Sequence, residues 1–321
     1  MESGFRLTER GEAFIREWTD GSECIVARTS GSTGVPKTIS LLKSDMRVSA
    51  RATNCFFGIN AESVLVCPLS ADYIAGKMMI VRALEARCRL YMAEPSNNVT
   101  ATVSAALAEC GRIDLLPLVP SQCDSFLAAT TRKGVRHVIV GGAPVSQETE
   151  ARLVAGHRSV WATYGMTETC SHVAVRPIGS QLYEAMPGIT FSADGDRRLA
   201  IDAPSFSFRR IQTNDIVELT DSTHFRWLGR ADNVINSGGI KIFPEQLERQ
   251  LAPYIPVPFY FKGEDDPKWG TRLVLVAECD EAEAPDLMAV CREHLPAYHV
   301  PKAVRLVSLL PQTPNGKLRR L

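Results

Sequence analysis

Residues 29–38 read Thr29-Ser30-Gly31-Ser32-Thr33-Gly34-Val35-Pro36-Lys37-Thr38, directly after a β-rich run at 24–29. Glycines let backbone amides approach an anion, hydroxyls add donors, and the lysine adds charge. In this order they read as a loop that cradles phosphate. It is not a Walker A loop: G-x-x-x-x-G-K-[ST] needs glycine where Pro36 stands, and proline fixes φ and withholds an N–H. A bland Ser/Thr/Gly surface loop explains any four of these residues, but the full run argues against it.

Outward from this loop, β-rich runs at 63–69, 89–93, 115–119, 136–140 and 159–163 alternate with helical stretches at 44–57, 74–85, 99–110 and 121–132. Ser44-Asp45 and Ser121 stand where N-caps belong. Strands alternating with helices of this length predict a largely parallel sheet covered on both faces. Beyond Gly165 short alternating strands take over, with turn signals at Asp194-Gly195 and Asp221-Ser222, and predict a small antiparallel sheet or barrel to about Leu228. After 229–232 the pattern changes again. A helix at 244–251, strands at 257–262 and 271–278, a helix at 285–295 and a strand near 304–308 form a compact α+β unit. The fold class is therefore α/β: a large N-terminal domain, 1–228, with a mostly parallel helix-covered sheet and a small antiparallel region, and a small α+β C-terminal domain, 233–321.

Composition narrows the function classes. Formal net charge is zero and no basic stripe stands out, which excludes a nucleic-acid surface. The apolar run 73–84 is interrupted by Lys77 and Arg82, and no stretch approaches the ~20 apolar residues of a membrane span. The nine cysteines include no C-x-x-C pair, which fits reduced thiols better than disulfides or zinc and suggests a cytoplasmic protein. The partners expected are small molecules; homo-oligomerisation is left open.

Four further stretches follow the loop in order: Gly141-Gly142-Ala143-Pro144, Tyr164-Gly165-Met166-Thr167-Glu168-Thr169, Gly229-Arg230-Ala231-Asp232 with Ser237-Gly238-Gly239-Ile240-Lys241, and Pro314-Asn315-Gly316-Lys317. With the loop, T-S-G-S-T-G-V-P-K, they make the chain resemble the adenylate-forming superfamily of acyl-CoA synthetases, luciferases and peptide-synthetase adenylation domains. The resemblance covers nearly the whole chain. It implies ATP, Mg²⁺ and coenzyme A as cofactor and co-substrates, and a C-terminal lid that swings about residues 229–232.

The resemblance also implies residue roles. Thr29, Ser30, Gly31, Ser32, Thr33, Gly34 and Lys37 would hold the β- and γ-phosphates. Thr167 would contact the α-phosphate and Glu168 would ligate Mg²⁺, which prefers one or two carboxylates plus phosphate oxygens. Gly142, Ala143, Pro144 and Tyr164 would lie against adenine, with Gly165 and Met166 in the same motif, and Asp215 and Arg230 would bind the ribose. Lys317 would reach the reacting carboxylate and α-phosphate. Asp232 matches the hinge aspartate, while Gly238, Gly239 and Lys241 would line the pantetheine channel; an ordinary Gly-Gly turn is the alternative for the two glycines. Taken singly, Glu168 reads as a surface acid, Tyr164 as a core aromatic and Lys317 as a solvated tail charge. The chemistry explains the set, because joining a carboxylate to ATP brings two anions together and catalysis becomes positioning and charge neutralisation.

Two departures from the superfamily stand out. Only 28 residues precede Thr29, where larger members carry a substantial extra region, and the usual T-G-D is Thr213-Asn214-Asp215. Residues 73–79, 164–172 and 213–228 resemble short bacterial o-succinylbenzoate–CoA ligases of menaquinone synthesis. Such a substrate is a dicarboxylate whose second carboxylate needs a counter-charge. Lys77 is the candidate, with Ser171 and His172 lining the pocket; a helix-face lysine reaching water and a satisfied strand histidine are the alternatives. A CoA ligase for another aryl or medium-chain acid, and an adenylate-binding pseudoenzyme, are the competing functions.

Overall fold

The computed structural model describes residues 4–28, 38–280 and 286–311, with Leu318 and Arg320. The loop candidates Thr29, Ser30, Gly31, Ser32, Thr33, Gly34 and Lys37, and Lys317, lie outside the described residues.

One twelve-stranded sheet organises most of the chain. Six strands are parallel, in the order Phe5–Arg6, Arg89–Met92, Val64–Cys67, Ile113–Leu118, Val135–Val140 and Val160–Gly165. The other six run antiparallel, from His172–Pro177 through Leu182–Ala185, His224–Arg230, Arg209–Leu219 and Arg198–Ala203 to Thr190–Ala193. Side-chain alternation sends Val64 and Val66 into one core and Leu65 and Cys67 into the other. Helices Glu9–Thr19, Lys43–Phe57 and Ile74–Ala86 cover the Leu65 and Cys67 face; Thr100–Cys110, Cys123–Ala128 and Gln147–Gly156 cover the Val64 and Val66 face. This is the helix-covered parallel sheet the alternation predicts.

Several local expectations are corrected. The expected antiparallel region is present from His172 to Arg230, but its strands continue the parallel sheet edge to edge rather than closing a barrel. The strand Cys24–Arg28 does not enter that sheet, but pairs with Thr38–Leu42 in a two-stranded hairpin. Helix Lys43–Phe57 has no side-chain cap. Asp45 lies in its first turn, where its carboxylate accepts from Ser207 N at 2.9 Å and from Ser207 Oγ. The stretch at 121–132 breaks into 3-10 turns around the short helix Cys123–Ala128, and Ser121 lies inside the first of them, bonded to Asn97.

Beyond the large sheet, strands Phe259–Asp266, Gly270–Glu278 and Ala303–Val307 form a separate sheet, packed with helices Pro244–Leu251 and Leu287–His294. Their apolar cores draw only on residues from Ile235 onward, whereas the cores of the large sheet end at Trp227. The two hydrophobic interiors share no residue.

Candidate active site

Strands Val135–Val140 and Val160–Gly165 are neighbours, so residues 141–144 and 164–171 emerge side by side at their C-terminal ends. Open α/β sheets hold ligands at that edge. The sheet also changes sense here. Residues 166–171 link Val160–Gly165 to His172–Pro177, and six residues are too few for the crossover that a parallel neighbour needs.

That link is tightly built. A Cβ on Gly165 would fall 2.4 Å from Ser171 O and 2.6 Å from His172 Cα, so only glycine fits. Thr167–Thr169 makes one 3-10 turn, and Met166 N donates to Thr169 Oγ1 at 3.0 Å. Ser171 N reaches Thr169 O at 2.7 Å, closing a three-residue turn about Cys170. Cys170 has φ +62°, a left-handed conformation that costs a non-glycine about 1–3 kcal/mol. The outcome is an exposed Glu168 with Ser171 and His172 directed inward on the same link.

The hairpin Cys24–Arg28 and Thr38–Leu42 brackets the phosphate-loop sequence. Its last pair is Arg28 with Thr38, and Thr38–Leu42 packs against the turn Thr167–Thr169. The described residues flanking 29–37, Arg28 and Thr38, are thus paired on a hairpin that contacts the turn carrying Thr167 and Glu168.

Asp215, a ribose candidate, is buried and anchored from two directions. Tyr164 Oη donates to its Oδ2 at 2.7 Å and Trp227 Nε1 to its Oδ1 at 3.0 Å. Asp215 and Arg230 are paired across adjacent strands, with Nη1 4.0 Å from Oδ1. The Tyr164 ring meets Tyr183 and Phe225 edge-on, and burial with the Asp215 charge holds its phenol well above 10. Tyr164 is therefore packed as an aromatic of this cluster and aims its hydroxyl at Asp215. Gly142, Ala143 and Pro144 are exposed at the strand end above it. Arg230 Nη2 also pairs with Asp232 at 2.8 Å, and Asn214, standing where the family has glycine, donates to Asp232 at 3.4 Å.

Glu168 makes no ion pair among the described residues, and no three described His, Cys, Asp or Glu side chains converge as a metal cage. A lone free carboxylate suits Mg²⁺ whose other ligands are nucleotide oxygens and water. Gly238 and Gly239 form the turn between Ile235–Ser237 and Ile240–Ile242, with φ +58° and +83°. That turn accounts for both glycines by itself. Lys241 pairs with Asp196 at 3.1 Å on the surface.

The acid-binding candidates Lys77, Ser171 and His172 do not all come together. Lys77 is buried, but its Nζ is 2.7 Å from Glu17 and 4.7 Å from the Phe14 ring. Its charge is met by Glu17 on helix Glu9–Thr19, and the side chain does not reach water. Arg82, five residues on along Ile74–Ala86, lies about 140° around the helix and faces Ser171 instead. It is only 2% exposed; its Nη2 donates to Ser171 Oγ at 2.5 Å, and its Nε has no partner. No described carboxylate pairs with it, and burial lowers its guanidinium to about 10. His172 is buried alongside, its Nε2 3.2 Å from Thr53 Oγ1 and its Nδ1 3.4 Å from Ser171 Oγ. Burial and then the Arg82 charge hold its pKa well below 6.5, so the ring is neutral near pH 7. The signal for Arg82 was present in the sequence, since it breaks the same apolar run as Lys77.

Comparison with known proteins bears on the chain as a whole. Residues 15–195 match the AMP-binding enzyme family, and residues 261–317 match the AMP-binding enzyme C-terminal domain. An acyl-CoA synthetase (AMP-forming)/AMP-acid ligase II-like protein from Dyadobacter fermentans is 34% identical, with TM-score 0.63 over 95% of this chain and 90% of that one. The 2-succinylbenzoate–CoA ligase of Listeria monocytogenes is 28% identical over 96% of this chain and 71% of its own length. An o-succinylbenzoate CoA synthetase from Bacillus subtilis, solved with its acyl-adenylate intermediate, shares the fold at TM-score 0.78 and 20% identity, over 91% of this chain and 67% of that one. The chain belongs to the AMP-binding enzyme family.

Proposed function

We propose that the protein is an AMP-forming acyl-CoA ligase whose acid is an aromatic dicarboxylate, o-succinylbenzoate. The observation that carries the choice of acid is Arg82: a buried cation, unpaired by any described carboxylate, bonded to Ser171. Ser171 stands three residues from Glu168, at most about 10 Å along the chain. One end of a diacid can therefore meet Arg82 while the other reaches the nucleotide. A buried unpaired charge destabilises a fold, and an anionic ligand removes that cost.

In the first step a carboxylate oxygen attacks the α-phosphorus, and the bond to pyrophosphate breaks. Thr167, just beyond the strand end, would contact the α-phosphate, and Asp215 with Arg230 would bind the ribose. Glu168 would hold Mg²⁺, which supplies neutralisation of phosphate charge. Lys317 would meet the carboxylate and α-phosphate. In the second step the CoA sulfur attacks the acyl carbon and AMP leaves. Residues 229–232 serve as hinge between domains 1–228 and 233–321, supported by the two separate cores. His172, neutral beside Arg82, fills the pocket wall without adding charge. The reading supports small-molecule substrates and a cytoplasmic location; among the described residues no helix is long and apolar enough to cross a membrane.

Incubation with ATP, Mg²⁺, CoA and a panel of aryl, dicarboxylic and fatty acids, read by mass spectrometry, tests the assignment. The expected product is o-succinylbenzoyl-CoA with AMP. Preference for a monocarboxylate would overturn the acid and keep the chemistry; ATP binding without pyrophosphate release from any acid would overturn the ligase reading.

A further inference from the structure

Arg320 stands three residues beyond Lys317, and its side chain is 17% exposed. Its guanidinium forms a two-pronged pair with Glu248, Nη1 on Oε1 and Nη2 on Oε2 at 2.6 Å, and donates to Phe261 O at 3.0 Å. Glu248 also accepts from Phe261 N at 2.8 Å, which holds the carboxylate from a second side. On the same helix, Pro244–Leu251, Glu245 lies 3.8 Å from Arg320 Nη2 and accepts from Asn233 Nδ2 at 2.5 Å. Asn233 ends the 3-10 turn Ala231–Asn233, which contains Asp232. Two carboxylates one turn apart thus connect the end of the chain with the hinge turn.

The arrangement is specific in kind. A planar guanidinium matched to a carboxylate by two bonds defines orientation as well as distance, which an ammonium does not. Three residues span at most about 10 Å, so the seat of Arg320 limits where Lys317 can stand. A side chain that must meet a carboxylate and a phosphate together loses much of its effect when that limit is removed.

We propose that Arg320, seated on Glu248 and Glu245, is a positioning residue for adenylation: it ties the lysine-bearing end of the chain to the hinge helix. The inference rests on the reading of Lys317 as a participant in the first half-reaction, and so predicts an effect on that half alone.

The test separates the halves in the full-length protein: pyrophosphate release without CoA, and thioester formation from pre-made acyl-adenylate with CoA. Arg320→Met is expected to slow the first by ten- to a hundredfold and to leave the second within twofold. Arg320→Lys keeps the charge without the fork, gives the same split at smaller amplitude, and decides the matter should the methionine variant not fold. Lys317→Ala is the control. Equal losses in both halves would make Arg320 merely structural and overturn the proposal. So would normal adenylation by Arg320→Met beside an inactive Lys317→Ala. Normal adenylation by Lys317→Ala itself would show that the reading of the lysine had failed and that the anchor has nothing to deliver.

Discussion

Replacing Arg82 by methionine should weaken the enzyme for its diacid while leaving the fold as stable as before, or more so. The Arg82 guanidinium is lowered by burial from 12.5 to about 10. At about 1.4 kcal/mol per tenfold, this is roughly 3 kcal/mol held against the folded state. Methionine has similar length and no charge. Against that gain stands the lost bond to Ser171, worth about 1.5–3 kcal/mol for a charged donor. The net change is between about zero and 1.5 kcal/mol in favour of folding, so Tm stays level or rises by a few degrees. Binding moves the other way: removing one member of a buried charge pair costs about 2–4 kcal/mol, or roughly thirtyfold to several hundredfold in KM. The assay is pyrophosphate release at saturating ATP and Mg²⁺, with o-succinylbenzoate and with its analogue lacking the second carboxylate, beside a thermal melt. The analogue should be used equally well by both proteins. A diacid KM within threefold of wild type, or equal losses for both acids, would refute the role of Arg82. A fall of more than about 5 °C in Tm would refute the account of its burial.

Three further outcomes follow from the same geometry. His172 refuses a proton in the folded state that its unfolded form accepts below about 6.5, so stability falls as pH drops through that value. His172→Asn should flatten the slope seen in urea titrations between pH 7 and 5; His137 and His157, also lowered by burial, leave a residual slope. Tyr164→Phe removes the donor to Asp215 and should lower stability by about 1.5–3 kcal/mol while raising KM for ATP several-fold, with KM for the acid unchanged. Glu168→Gln alters an exposed residue without a described ion pair, so Tm should stay within the effect of about 0.5 kcal/mol. Adenylation should fall at least a hundredfold and the Mg²⁺ requirement should rise; a normal rate at ordinary Mg²⁺ would remove it from the site.

Much of this protein was legible because its chemistry is written in contiguous residues. The link from Tyr164 to His172 is one short segment, so its threonine, glutamate and tight glycine turn are fixed in relation by the backbone alone. The alternation of strands and helices likewise requires a parallel sheet, since helical connections lead each strand back in the same direction. The turns at Asp194 and Asp221 form where their side chains accept neighbouring amides, a local effect. The strand Cys24–Arg28 was legible as a strand, but not its membership of a separate hairpin, because pairing depends on edges that become available only in the assembled sheet. The choice between Lys77 and Arg82 is of the same kind. Both interrupt one apolar helix, and nothing local separates them. Lys77 meets Glu17, 60 residues away, whereas Arg82 turns to Ser171, 89 residues away. Sequence order determines which side chains share a helix; only the packed neighbours decide which buried charge meets a carboxylate, as Lys77 does, and which meets a hydroxyl, as Arg82 does.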